Sequence, residues 1–158
     1  MPKELKPANK VKIKLLDVDG TVLKEDEVTN TVTAGWSNTC AYLALNGARP
    51  SNATLAPGKI YICSTTQTVD STPSTQYYTT LNSAAGITGT NYSASTTNSI
   101  SGGTITAQAT ITATGAFTVA EILLGDASAG GMVFIAYSTY SATLNANQQI
   151  QITWQLNF

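Results

Sequence analysis

The chain contains no histidine. Triads and dyads that rely on an imidazole base are therefore excluded, and zinc sites lose a principal ligand. Cysteine is nearly absent as well. Cys40 and Cys63 stand far apart, without the CxxC or other spacing of a metal site. They read as small buried apolar side chains, with a Cys40–Cys63 disulfide as the alternative. Charged residues make up only 11% of the chain, well below the roughly 25% of an ordinary soluble domain. No apolar run approaches the ~20 residues of a membrane-spanning helix, so no membrane partner is expected. Lys3, Glu4 and Lys6 stand where an apolar leader would have to begin, which gives the expectation of cytoplasmic synthesis without a secretion address.

The few charges that exist are crowded at one end. Twelve of the seventeen lie within the first 27 positions, and no Lys or Arg follows Lys59. Nucleic-acid binding requires a basic surface that neutralises phosphates, and the body of this chain has none. Ser, Thr, Asn and Gln supply its polarity instead. At 158 residues the chain is expected to form one domain and to bury roughly 70% of its unfolded surface.

What is present reads as β-structure. Residues 1–9, with Pro2 and Pro7 and little to bury, are expected to form an extended arm. A single β-rich domain then spans 10–158. Val11, Ile13 and Leu15 alternate with Lys10, Lys12 and Lys14, the period of a half-buried strand. Asp19-Gly20 favours a tight turn with positive φ, and Thr21 to Lys24 would return as the second strand. One short helix is expected in "GWSNTCAYLALNG", capped by Ser37 or Asn38 and ending at Asn46-Gly47. A strand follows at 59–65, then a Ser/Thr/Asn/Gly-rich stretch, 64–103, of loops with short strands. "GTITAQATITAT", "FTVAEILLGD" and "GMVFIAYSTYS" read as strands. The last nine residues alternate without a fault, Ile150, Ile152, Trp154, Leu156 and Phe158 against Gln149, Gln151, Thr153, Gln155 and Asn157. Together these elements predict an antiparallel β-sandwich or barrel, of jelly-roll-like form.

Within this pattern lies Asp17-Val18-Asp19-Gly20-Thr21, which spells the phosphatase signature of the haloacid dehalogenase superfamily. In that family the first Asp is a nucleophile and the second an acid/base. The chemistry needs the motif at the end of a central parallel strand, then a Lys, then an acidic pair that holds Mg²⁺. Lys59 could serve as the lysine, but Gly125-Asp126 is followed by no second acid, and no acidic residue occurs after 126. The stretch is read as a hairpin turn, and no enzyme activity, metal or cofactor is expected.

Three further features carry two readings each. The seven tyrosines and two tryptophans could form a sugar-stacking platform or pack the core; Trp154, Tyr137 and Tyr61, set in strand patterns, favour the core. Asp70 beside Ser71 and Thr72 offers one carboxylate, too few for a good calcium site. Lys10, Lys12 and Lys14 on one strand face form a solvated or edge-protecting face, or dock on an acidic partner surface. With Lys3 and Lys6 of the arm, they are the partner-interface candidates.

The order of elements resembles phage virion proteins of the small β-rich tail and head-decoration type. The likeness spans residues 10–158 and is carried by the charged strand pair with its Asp-Gly, "IYICST", and the Thr/Ser-rich middle. Its closest points are Thr118-Val119-Ala120-Glu121-Ile122-Leu123-Leu124, "MVFIAYS" and Ile150-Gln151-Ile152-Thr153-Trp154. Tail members often carry Gly-Leu after the glutamate where this chain has Ile122-Leu123, a departure that leaves head and tail both open. The resemblance implies a structural protein located in the virion, a capsid decoration or cement protein that contacts the major capsid protein or neighbouring subunits. It implies a homo-oligomer, with a trimer as the expected form. A minor tail or fibre component and a carbohydrate-binding adhesin are the alternatives.

Overall fold

The computed structural model describes residues 9–33, 36–37, 45, 57–66, 80–81, 91–126 and 132–157. Its first two strands are β1 (Lys10–Leu16) and β2 (Val22–Thr29), an antiparallel hairpin. In β1 the apolar Val11, Ile13 and Leu15 are buried and the intervening lysines point away, as the period of two requires. The turn between them has three residues rather than two. Gly20 N–H donates to the Asp17 carbonyl at 2.9 Å and Asp17 N–H to the Thr21 carbonyl at 2.8 Å. Only Gly20 takes a positive φ, +85°, so the loop is a type I turn closed by a glycine bulge. Each aspartate also accepts from a nearby backbone N–H, Asp17 from Val18 and Asp19 from Thr21.

The other strands are β3 (Thr31–Val32), β4 (Pro57–Cys63), β5 (Thr80–Leu81), β6 (Asn91–Ser95) and β7 (Thr97–Ser101). After them come β8 (Thr104–Thr112), β9 (Phe117–Asp126), β10 (Met132–Leu144) and β11 (Gln149–Asn157). They form two antiparallel sheets, one in the order β2-β1-β11-β8-β7 and the other β3-β10-β9-β4-β6, with β5 also paired to β10. The chain passes between the sheets repeatedly. Asn30 alone separates β2 from β3, and Thr96 alone separates β6 from β7. Two longer crossovers, 113–116 and 145–148, are tied to each other: Asn147 N–H donates to the Ala113 carbonyl, and Ala113 N–H to the Gln148 carbonyl.

The core lies between the sheets. Ile13, Ile111, Ile150, Ile152 and Trp154 from the first meet Ile60, Ile62, Val119, Ile122, Leu124 and Leu144 from the second. The fold is a β-sandwich, and the first sheet turns a polar face outward. The second sheet is buried on both faces at its centre. Tyr61, Cys63, Leu123 and Phe134 make a second apolar cluster, distinct from the main core. This explains why "IYIC" and "ILLG" are unbroken apolar runs while β11 alternates.

Several expectations change here. The strand expected at 59–65 starts earlier, at Pro57, and β10 runs on to Leu144. Directly after the hairpin, Thr31 and Val32 already belong to the second sheet, paired with β10. Of the expected helix only Trp36, Ser37 and Leu45 are described. Ahead of the expected cap at Ser37 or Asn38, Thr33 Oγ1 accepts from Trp36 N–H at 3.3 Å and the Thr33 carbonyl from Ser37 N–H. Cys40, Asp70 and the remainder of the expected helix lie outside the described residues. So does the arm apart from Asn9, whose side-chain oxygen accepts from Asn157 N–H at 2.8 Å. Cys63 is a buried free thiol.

Candidate interaction surface

The hairpin register fixes what faces the lysines of β1. Because the ladder slips by one residue between Leu16↔Val22 and Leu15↔Lys24, Lys12 stands opposite Glu27 and Lys14 opposite Glu25. Lys14 Nζ lies 2.8 Å from Glu25, and Lys10 Nζ reaches diagonally to Glu27 at 2.7 Å. The Glu27 carboxyl is held below its ordinary value by the Lys10 bond and the positive charges of Lys10 and Lys12. Lys12, exposed between the two pairs, has no carboxylate within ion-pair distance among the described residues. Lys3 and Lys6 lie outside the described residues. Structure therefore brings three of the five candidates together and satisfies two of those three within the chain. It also corrects the edge-protection reading, since β1 lies between β2 and β11 and the edge strand is β2.

Beyond the lysines the outer face becomes neutral. On β11 and β8 the outward residues meet in rows: Gln149 with Thr112, Gln151 with Thr110, Thr153 with Gln108, Gln155 with Thr106, Asn157 with Thr104. Every row sets one amide against one hydroxyl. Two rows are joined directly, Thr104 Oγ1 donating to Asn157 Oδ1 at 2.7 Å and Gln149 Nε2 to Thr112 Oγ1 at 3.3 Å. Sequence reading saw the alternation of β11 but not the pairing, which depends on register between strands far apart in the chain.

On its other face β2 joins the two sheets. Lys24 and Asp26 form an ion pair of 2.8 Å, and the ammonium sits 5.8 Å from the centre of the Tyr140 ring. Bonds from Lys24 first, and then from Tyr140, lower the Asp26 carboxyl. Burial, reinforced by the Asp26 charge, pushes the Tyr140 phenol upward.

The phosphatase-like residues occupy a different setting from the one that chemistry requires. Asp17 and Asp19 sit in the loop of an antiparallel hairpin, with neither a parallel strand before them nor a helix directly after. Asp17 also accepts from Gln148 Nε2 at 3.2 Å, which ties the turn to the β10–β11 crossover. Bonds from Thr21 lower the Asp19 carboxyl. No cluster of three or more metal-ligating side chains occurs among the described residues, and Lys59 lies in β4 of the other sheet.

Aromatic rings do not form an outer platform among the described residues. Trp154, Trp36, Tyr61, Phe117, Phe134 and Tyr140 are buried, while Tyr92 and Tyr137 are half-buried. Tyr92 packs edge-on against Phe117 with ring centres 4.9 Å apart. Burial, and then the nearby Glu121, pushes the Cys63 thiol up to about 12, leaving it protonated near neutral pH.

No protein-family model, curated protein or solved structure gives a significant match to this chain.

Proposed function

We propose that this chain is a structural subunit of a tailed-phage virion, a capsid decoration or cement protein acting through surface contacts rather than chemistry. The observation that carries the reading is the setting of the candidate lysines. Lys10, Lys12 and Lys14 lie on a broad sheet face of paired charges and neutral amide–hydroxyl rows, where Lys12 and Lys14 with Glu25 and Glu27 line an open depression. Such a face offers many weak, spaced hydrogen bonds to another extended protein surface, with Lys12 as the charge free to meet an acid. Its partner is the major capsid protein or a neighbouring virion subunit, and its copies assemble with one another, as trimers in the decoration arrangement. The sandwich takes a jelly-roll-like form in this reading, and Asp17 and Asp19 serve the turn with no catalytic or metal-binding part.

Residues 1–9 supply the second half of the attachment. In this reading an arm with Pro2, Pro7, Lys3 and Lys6 makes contacts with a neighbouring surface that exist only in the assembly and add nothing to the free subunit. The test is to titrate full-length and arm-deleted protein onto undecorated particles while counting copies per purified particle. Hundreds of copies, weakened binding without the arm and an unchanged Tm are expected. A handful of copies would move the protein to the tail. Equal affinity of the two forms would overturn the role of the arm.

One observation favours a second reading, a carbohydrate-binding adhesin. Rows of amides and hydroxyls on β8 and β11 can exchange hydrogen bonds with sugar hydroxyls without aromatic stacking. Specific hits on a glycan array that vanish in Gln151→Ala would establish it over the decoration role.

A further inference from the structure

The five-stranded sheet ends in two edges, β2 and β7, and they are defended very differently. The β2 edge carries Lys24, Glu25, Asp26 and Glu27, charges that oppose pairing with another strand. The β7 edge reads Thr97-Asn98-Ser99-Ile100-Ser101, uncharged and exposed at every position. It has no lysine, no proline and no covering strand among the described residues. Ile100 is 78% exposed, although its cross-strand neighbour Ile105 packs against the core.

The turn that follows shows which backbone groups are open. Gly102 and Gly103 both take positive φ, +56° and +78°, the two-residue turn of type I′. Ser101 and Thr104, which flank it, are therefore a hydrogen-bonded pair, and such pairs alternate along an antiparallel ladder. Thr97, Ser99 and Ser101 thus turn their N–H and C=O groups toward β8. Asn98 and Ile100 turn theirs toward the open edge.

We propose that β7 pairs antiparallel with β7 of a second copy of this chain, about a two-fold axis at Ser99. In that register Asn98 of each copy exchanges N–H···O=C bonds with Ile100 of the other, which satisfies the open groups of both residues. The strand is self-complementary in side chains too. On the outer face Ser99 meets Ser99 and Thr97 meets Ser101, all small and neutral, so no like charges are brought together. On the inner face the exposed Ile100 is covered beside the Asn98 of the second copy. On β2 the same operation about Asp26 would set Asp26 against Asp26 and Glu25 against Glu27. The contact is isologous and joins two five-stranded sheets into one. It is independent of the virion reading and holds for the free protein.

Sedimentation velocity on the full chain tests it, together with a cross-link. Wild-type protein should associate through pairs of copies, and Ile100→Lys, at an exposed position that leaves folding intact, should weaken that association at least about tenfold. Ser99→Cys places two thiols at a non-hydrogen-bonded pair with Cα atoms about 4.5 Å apart, within reach of a disulfide. Mild oxidation should cross-link it to completion, while Thr110→Cys, exposed on the same face but remote from the axis, should cross-link poorly. Equal cross-linking of the two variants, or unchanged association in Ile100→Lys, would overturn the proposal.

Discussion

The Tyr140 hydroxyl donates to Asp26 Oδ2 at 2.6 Å, from the second sheet to the edge of the first. Nearby, Ser138 Oγ donates to the Thr29 carbonyl at 2.9 Å, so β10 and β2 are laced where the two sheets meet. Tyr140→Phe keeps the ring against the core and removes only the donor. Its Tm should fall by about 2–4 °C, the usual response of a chain this size to one lost hydrogen bond. A differential scanning measurement checks it, and an unchanged Tm would mean the seam is held by packing alone.

The hairpin loop is expected to be structural. Gly20→Ala forces a side chain into the left-handed region and should cost about 1–2 kcal/mol. Asp17→Asn with Asp19→Asn should leave particle binding intact. Assay of a generic phosphate ester with Mg²⁺ checks the other half: turnover that disappears in either aspartate variant would restore the enzymatic reading.

Trp154 is fully buried at the centre of the first sheet, and its Nε1 has no hydrogen-bond partner among the described residues. Trp154→Ala should cost about 3–5 kcal/mol through the cavity it leaves. Trp154→Phe should cost clearly less, because it also removes a buried donor that nothing among the described residues satisfies. Urea unfolding of the pair reads both values, and equal costs would contradict the second argument.

Acid should loosen the β1–β2 face. Asp26 and Glu27 titrate below their ordinary values of 3.8 and 4.5, so they favour the folded state above those values. That contribution is lost as the pH falls through the lower, folded-state values. Tm should hold from neutral pH down to about pH 5 and then decline, and Glu27→Gln with Asp26→Asn should flatten the decline. High salt should weaken the same pairs, since all are at the surface.

Legibility in the sequence followed burial. The strands of β11, β9 and the first half of the hairpin could be read because Ile, Leu and Trp repeat at the period of a face that must be hidden. Thr97-Asn98-Ser99-Ile100-Ser101 shows no such period because an edge strand hides almost nothing, so the stretch around it reads as loops with short strands that have no fixed position. The lysines were visible as a row, but not their partners. Which carboxylate each meets depends on the one-residue slip of the ladder at Leu23, beyond the turn at Gly20. Tyr140 and Asp26 lie far apart in sequence, and nothing local announces their meeting. The jumps between sheets at Asn30 and Thr96 carry no glycine or proline to mark them.

The pairing of Val11 with Trp154 joins the first strand of the sandwich to the last. During synthesis β1 therefore has β2 beside it early and must wait for nearly the whole chain before its other side is covered. Contacts this distant in sequence close slowly, on the millisecond-to-second scale typical of such topologies. Throughout that interval β1 is a bare edge, open to mispairing with any extended segment nearby.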